Sequence, residues 1–576
     1  MPRIRLALGQ TNPIVADLAG NSRQIIDVAR RAAAQGADLF AVGEMALSGY
    51  PIEDLASRPS FLADSHRALR QLAEQLNADG LGDLAVIVGH PDGPFEPQTT
   101  GTNSAPTAIA QNCASVIQHG QVLGRYAKHH LPNYSVFDEY RNFIAGHGLM
   151  VCRLRGVDVA VIVCEDLWRE SGPVSRVAEA KAGLLLVINA SPFERDKNEV
   201  RLPLVVRRGV ELGASVAYVN LVGGQDDLVF DGDSVVVDGA GLIVARAPQF
   251  AEHLLVVDLE LAAASDAALP EGIQRVNLSA RDAPIPRLSP DIAVLPEDRE
   301  QVWNALVLGL RDYVQKNGFR SVILGLSGGI DSAVCAAIAC DAIGAERVWG
   351  VSMPSRYSSD HSRSDADELA ENLGLNFSTE AIADLVLPVE TQLKLTGTAA
   401  ENLQARIRGI VLMGLSNLDG HLVLTTGNKT ELSVGYSTIY GDSAGGFAPI
   451  KDVPKTLVWE LARWRNAAAV ARDELAPIPV NSIEKPPSAE LRPDQTDEDS
   501  LPPYELLDEI LNGYITRKLG REELVTQGFD PETVEFVAGL VDRSEWKRRQ
   551  GAIGPKISGM AFGRDRRLPI THHPSR

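Results

Sequence analysis

The sequence predicts an α/β protein in two parts. Short apolar runs alternate with amphipathic stretches along most of the chain, the alternation breaks between Leu261 and Pro296, and a Gly- and Ser-rich turn then joins an apolar run to a helix of small residues. At 576 residues the chain is too long for one core, so two or three domains are expected. The divisions read from the pattern are a first domain over residues 1–262, a linker over 263–296 with prolines at 270, 284, 286, 290 and 296, and a second domain over 297–576.

Composition narrows the function. With 45% hydrophobic and 23% charged residues this is ordinary globular material. A formal net charge of -20 argues against a nucleic-acid or anionic-membrane partner, which would need excess Lys and Arg. Cys113, Cys152, Cys164, Cys335 and Cys340 form no CxxC pair and have no His at metal spacing, so neither a zinc site nor a disulfide framework is indicated and a reducing cytoplasm fits. The amino terminus is strand-like rather than a signal peptide, and no apolar stretch reaches spanning length, so a soluble, cytoplasmic protein without a membrane partner is expected.

In the first part the apolar runs fall at residues 4–8, 39–42, 84–88, 157–163, 184–188 and 216–219, with an amphipathic stretch at 21–35 and hairpin-like pieces around Asp231-Gly232 and Gly239-Ala-Gly241. Three polar residues stand where such strands run out: Glu44, Lys128 and Cys164. Strand carboxyl ends are where α/β folds carry their sites. Chemically the trio makes a base, a cation and a nucleophile: Cys164 attacks only as thiolate, Glu44 takes its proton, and Lys128 stabilises the thiolate or the developing oxyanion. Taken singly, each has an ordinary reading as a core cysteine, a surface lysine and a capping or ion-paired acid.

Their surroundings point further. Glu44-Met-Ala-Leu-Ser-Gly-Tyr-Pro51, Gly124-Arg-Tyr-Ala-Lys-His-His-Leu-Pro-Asn-Tyr134 and Cys164-Glu-Asp-Leu-Trp168 resemble, in order, the three signature segments of the nitrilase superfamily. That resemblance implies an αββα sandwich and hydrolysis of a C–N bond through a thioester. Asn189-Ala-Ser-Pro-Phe193 with Lys197 is similar to the glutaminase branch, which implies that Tyr134, Ser191 and Lys197 hold glutamine. Lys197 lies in a charged stretch that also reads as solvated, and Glu139 reads equally as a partner of Lys128 or substrate and as a surface acid.

The second part opens with an amphipathic helix over 298–316, followed by the strand-like run Ser321-Val-Ile-Leu324. The turn Ser327-Gly-Gly-Ile-Asp-Ser332 then lies at a strand's carboxyl end and a helix's amino end, where free backbone N–H groups and the helix dipole hold anions. Gly328 and Gly329 let a phosphate approach the main chain, and Ser327 and Ser332 add hydroxyl donors. Asp331 is repulsive beside a phosphate unless a divalent cation lies between them, which points to Mg²⁺. No Gly-Lys-Ser/Thr follows, so this is not the kinase or GTPase P-loop. A strand over 347–352, a helix over 364–373 and a strand over 422–425 continue the alternation, which argues for a doubly wound parallel sheet. Met353 at a strand end reads as an adenine contact or as plain core. Asn402 and Arg406 share one helical face, fit either for phosphate or sugar or simply for solvent. Glu431, after the strand at 422–425, is a second candidate ligand for Mg²⁺ beside Asp331.

The turn resembles the pyrophosphate-binding loop of the ATP pyrophosphatases, whose fold is of the adenine nucleotide alpha hydrolase-like type. With Glu401 to Arg408, Thr426-Gly-Asn-Lys-Thr-Glu431, residues 435–442, residues 482–491 and Trp546-Lys-Arg-Arg549, the second part is similar to the NAD synthetases, and the whole chain to their glutamine-dependent family. The resemblance implies ATP contacts for Ser327, Gly328, Gly329, Ile330, Asp331, Ser332, Ala333, Val334 and Thr426, and for Lys455 and Ser488. It implies deamido-NAD contacts for Asn402, Glu431, Lys547 and Arg406, Mg²⁺ on Asp331 and Glu431, and a homo-oligomer. The implied reaction is amidation of deamido-NAD by ammonia from glutamine, with another ATP-pyrophosphatase amidotransferase as the alternative. Residues 486–503, rich in Pro, Asp and Glu, read as a mobile acidic loop, and the basic cluster at 556–567 reads as a subunit or dinucleotide contact.

Overall fold

The computed structural model describes residues 1–96, 108–280, 286–289, 291–488, 490–492 and 495–572. The chain divides into two units, Met1–Gly223 with Phe230–Pro296, and Gly224–Val229 with Glu297–Arg576. Among the described residues no helix is long and apolar enough to cross a membrane.

The first unit is built on two sheets. One has the order His253–Glu260, Arg3–Gln10, Leu39–Val42, Ala85–Asp92, Gln111–Gln118, Gln121–Ala127. The other runs Ile243–Arg246, Val235–Val237, Ser215–Asn220, Leu184–Asn189, Val157–Val163, Leu149–Leu154, Ile273–Asn277. Every residue of Val157–Val163 and of Leu184–Asn189 is buried, as the apolar runs at 159–163 and 184–188 require for strands covered on both faces, and buried Asp158 is paired with Arg153 at 2.8 Å. Each fully buried Val, Leu or Ile side chain contributes about 1.5–3 kcal/mol. Ile4, Leu6, Leu8 and Ile87 of one sheet share a core with Val151, Val161 and Leu186 of the other. Leu18–Ala34 and Pro59–Ala78 pack on the first sheet, Pro173–Ala180 and Asn198–Leu212 on the second, which completes the αββα sandwich. The helix expected at 21–35 begins earlier, at Leu18, because the Asp17 carboxylate caps it by accepting from Gly20 N at 2.8 Å. Part of the expected linker is a strand: Ile273–Asn277 pairs in parallel with Leu149–Leu154. The linker prolines at 284 and 290 lie outside the described residues.

In the second unit four parallel strands lie in the order Asn376–Thr379, Val348–Ser352, Val322–Gly325, Leu422–Val423. The chain winds outward from Val322–Gly325 and then returns to add Leu422–Val423 on its other side. The switch point therefore falls beside Val322–Gly325, and an open α/β sheet forms its ligand crevice there. Leu422–Val423 is shorter than the run expected at 422–425, since after the bond from Leu424 N to Ile323 O at 2.8 Å the chain turns to Phe447, whose carbonyl accepts from Thr425 N at 2.9 Å. Helices Ile330–Ile343, Thr398–Asp419 and Lys455–Val470 surround the crevice, and a helical cluster from Tyr504–Leu511 to Glu545–Arg548 has its own core around Leu507, Val537 and Val541. The basic carboxyl-terminal segment is largely paired internally: buried Lys556 Nζ lies 2.9 Å from Asp565, and Arg566 bonds Glu545 at 3.1 Å.

Candidate functional site

Cys164 ends Val157–Val163 and opens the single turn Cys164–Leu167 with φ at +47°, a left-handed conformation that costs a non-glycine residue energy and is sustained only by its surroundings. It is 8% exposed. Glu44 follows Leu39–Val42 and Lys128 follows Gln121–Ala127, so the trio converges from both sheets. Lys128 Nζ sits 2.8 Å from Glu44 Oε1 and 2.8 Å from Glu139 Oε2, with all three side chains at most 3% exposed. Glu44 also accepts from Asn112 Nδ2 at 2.7 Å and from Ala190 N at 2.9 Å, while Tyr50 OH donates to Glu139 at 2.9 Å. One ammonium between two carboxylates, each braced by further donors, compensates the burial of the charges.

The electrostatics follow from that cage. Burial alone would depress the Lys128 ammonium, but Glu139 and then Glu44 outweigh it and hold it cationic well above its usual range. Burial pushes Glu139 up to about 7 against the pull of Lys128. The Cys164 thiol is pushed well up, by burial first and then by the charge of Glu44, with Lys128 opposing. The thiol therefore stays protonated at rest and loses its proton as it attacks, which makes general-base assistance necessary.

Around this centre the other glutamine-site candidates are spread more loosely. Tyr134 is 51% exposed and donates to Glu165 at 2.8 Å. Ser191 is buried, and its N–H donates to Asn220 Oδ1 at 2.8 Å. Half-buried Lys197 donates to Pro192 O at 2.8 Å, and burial lowers its ammonium, so it is not the solvated lysine its charged neighbours suggest. Of the residues that brace the carboxylates, Tyr50 lies within the signature-like segment from Glu44 to Pro51, whereas Asn112 carries no sequence signal beyond its strand position.

In the second unit a cavity of about 640 Å³ opens at the switch point. Ser327, Gly329, Ile330, Asp331, Ser332, Thr426, Asn402, Arg406, Glu431 and Lys547 all line it. Gly328 holds φ at +75°, and a Cβ there would meet Ser362 O at 2.3 Å, so only glycine fits the turn. Gly329 caps helix Ile330–Ile343, and Ser332 Oγ donates to Gly329 O at 2.9 Å while lying 3.2 Å from Ser327 Oγ. Ala333 and Val334 are fully buried in the helix behind the loop, and the Ala333 N–H is spent on Gly329 O at 3.1 Å.

Lys455 Nζ bonds Asp331 and lies 4.0 Å from Glu431, and Asn428 Nδ2 donates to Asp331 at 3.0 Å. Burial, then the charge of Asp331, pushes the Glu431 carboxyl well above its usual range, with Lys455 opposing. Asn402 accepts from Thr438 Oγ1 at 2.8 Å, and Lys547 donates to Gly435 O and Ser437 O at 2.7 and 2.9 Å. Met353, Lys485, Ser488 and Asp442 face the same space, and burial raises Asp442 to about 6. The segment expected to be a free acidic loop is anchored at two points: Asp497 is 4% exposed and accepts from Tyr504 OH at 2.8 Å, and Glu490 accepts from Ser362 Oγ at 2.7 Å, while Glu498, Asp499 and Ser500 are exposed. Asp497 also faces the cavity, a role that its acidic stretch concealed.

Comparison with known proteins settles the family. Residues 5–268 match the carbon-nitrogen hydrolase family and residues 302–551 the NAD synthase family. The chain is 42% identical to the glutamine-dependent NAD(+) synthetase of Acinetobacter baylyi, covering 99% of both chains, and 42% identical to that of Thermotoga maritima with the same coverage. It belongs to the glutamine-dependent NAD(+) synthetases. Among solved structures, the Acinetobacter baumannii glutamine-dependent NAD+ synthetase in complex with adenosine diphosphate is similar at 39% identity and a TM-score of 0.72, covering 99% of this chain and 98% of that one. The Cytophaga hutchinsonii synthetase shares the fold at a TM-score of 0.78 and 22% identity, covering 99% of this chain and 97% of that one. As a synthetase of this family, the chain is an ATP-using ligase that amidates deamido-NAD to NAD with ammonia drawn from glutamine.

Proposed function

We propose that Glu44, Lys128 and Cys164 form the glutaminase centre, and that the cavity of the second unit binds ATP and deamido-NAD for amidation. The observation that carries the reading is the buried cage in which Lys128 lies 2.8 Å from both Glu44 and Glu139, in the electrostatic neighbourhood of the Cys164 thiol. Cys164 Sγ attacks the glutamine carboxamide carbon as Glu44 takes the thiol proton, and Lys128 offsets the oxyanion. Glu44 returns the proton to the nitrogen as ammonia leaves, and water cleaves the thioester to glutamate. Tyr134, Ser191 and Lys197 hold glutamine in this reading, and Glu139 keeps Lys128 in place.

At the cavity the nicotinate carboxylate attacks the α-phosphorus of ATP and pyrophosphate leaves. Ammonia then adds to the acyl carbon, AMP departs with the carboxylate oxygen, and the nitrogen sheds its extra proton. The loop from Ser327 to Ser332, Thr426, Lys455 and Ser488 serve ATP, with Ala333 and Val334 buried behind the loop as its support rather than as contacts, while Asn402, Arg406, Glu431 and Lys547 serve the dinucleotide. Asp331 and Glu431 fit Mg²⁺: they are hard oxygen donors on one cavity, and Glu431 is disfavoured as an anion by burial and by Asp331. Among the described residues no group of three or more metal-ligating side chains stands ready, so phosphate oxygens would complete the coordination. Bound there, Mg²⁺ would offset charge on the triphosphate. A cytoplasmic homo-oligomer belongs to the same reading.

Incubation with ATP, Mg²⁺, glutamine and deamido-NAD is expected to yield NAD, AMP, pyrophosphate and glutamate, and absence of NAD would overturn the reading. Cys164→Ala is expected to abolish glutamine use and spare synthesis from added ammonium. Loss of both would mean that the roles are misassigned.

A further inference from the structure

The Asp166 carboxylate is fully buried, yet neither the attack on glutamine nor the binding of substrate calls on it. Its Oδ1 accepts from His130 N at 2.7 Å and His129 N at 3.2 Å, and its Oδ2 from Tyr126 OH at 2.7 Å. Oδ2 also receives His129 N at 3.3 Å and Val163 N at 3.4 Å. Val163 immediately precedes Cys164, while Tyr126, His129 and His130 flank Lys128 on both sides. A carboxylate that merely capped the turn Cys164–Leu167 would need only the bond to Val163 N, which is the longest of the set. The two shortest bonds instead leave the turn for the segment carrying Lys128. Burying a charge is costly, and here several donors converge on one group to offset that cost, all of them from the two chain segments whose relative position sets the distance between thiol and ammonium.

We propose that Asp166 is a positioning residue for the glutaminase reaction: by bonding the chain on both sides of Lys128 and the residue before Cys164, its carboxylate fixes the ammonium against the nucleophile's turn. The inference rests on the assignment of Cys164 and Lys128 to the glutaminase centre. Tyr126 shares the task, since its hydroxyl is the one side-chain donor among these bonds. Asp166→Asn keeps the shape but puts an N–H group where an acceptor was, so the Lys128 segment loses backbone bonds in either orientation: those of His129 and His130 at Oδ1, or that of His129 together with Val163 N at Oδ2.

The test uses the full chain and compares glutamine-driven with ammonium-driven NAD synthesis. A displacement near 1 Å at a reacting centre costs on the order of 10²-fold, so D166N is expected to lower kcat with glutamine by about that factor, with KM for glutamine nearly unchanged and ammonium-driven synthesis retained. Because Lys128 is the group that opposes the rise of the Cys164 thiol, alkylation of Cys164 by iodoacetamide is also expected to move to higher pH in D166N. Tyr126→Phe removes a single bond and is expected to show the same pattern more weakly. If D166N is not recovered folded, Y126F decides alone, through the same kcat loss and the same shift in the alkylation profile. An unchanged kcat, a change in KM alone, or a kcat loss with an unmoved alkylation profile overturns the proposal. Cys164→Ala in the same assay separates the two layers: if it spares glutamine use, the underlying assignment fails, whereas if it abolishes glutamine use while D166N and Y126F behave as wild type, only the role of Asp166 fails.

Discussion

Replacing Lys128 by Met tests the cage that holds the first site together. In the intact protein one ammonium stands 2.8 Å from each of two carboxylates whose side chains are at most 3% exposed. Removing the cation leaves Glu44 and Glu139 buried without it, a change of the kind that costs about 3–5 kcal/mol. At about 2–4 °C per kcal/mol for a domain of this size, the unfolding midpoint is expected to fall by roughly 6–20 °C. The loss depends on pH in a definite direction. Glu139 is already raised to about 7 against the pull of Lys128, so without Lys128 it rises further. A carboxyl raised in the folded state keeps a proton that the unfolded chain gives up, and its stabilising contribution disappears as pH climbs through the folded value. The gap between wild type and Lys128→Met is therefore expected to widen from about pH 6 to about pH 9. Circular dichroism melts at both pH values measure it, and loss of a preorganised charge at the oxyanion should lower glutamine-driven kcat on the order of 10²–10³-fold while ammonium-driven synthesis continues. A gap of equal size at both pH values would refute the account of Glu139, and retained glutamine use would refute the role given to Lys128.

Two further substitutions probe the remaining contacts. Gly328→Ala introduces a Cβ 2.3 Å from Ser362 O at a φ of +75°, so the loop must move at a cost of about 1–3 kcal/mol. Its KM for ATP is expected to rise in ammonium-driven assays while glutamine hydrolysis is untouched, and an unchanged KM would count against ATP on this loop. Lys197→Met, which removes the ammonium now bonded to Pro192 O, is expected to raise KM for glutamine about tenfold with kcat nearly constant. A fall in kcat alone would move Lys197 from binding to chemistry.

The parts of this molecule that local pattern encodes were legible in the sequence. The apolar runs at 159–163 and 184–188 read as buried strands, and the carboxyl end of the first pointed to Cys164. The glycine pair at 328–329 likewise announced a turn that admits no side chain at Gly328. What stayed hidden depends on partners far away in the chain. Glu139 reads equally as a partner of Lys128 or substrate and as a surface acid until Lys128 and Tyr50 are found against it, and Asn112 reaches Glu44 across 68 positions of sequence. Asp497 lies in a stretch whose composition says solvent, yet Tyr504 and the cavity wall bury it. Ile273–Asn277 was missed because a short edge strand between proline-rich pieces has too few residues to establish a period.

The resting state of Cys164 has a consequence for how durable the protein is. Peroxides and electrophiles consume cysteines through the thiolate, and susceptibility follows exposure. Cys164 is 8% exposed, and burial together with the Glu44 charge keeps its sulfur in the thiol form. Between turnovers the nucleophile is thus chemically quiet, its base beside it already engaged by Lys128, Asn112 and Ala190 N. A sulfur held this way is expected to react more slowly with oxidants and alkylating reagents than an exposed cysteine, and faster as pH rises.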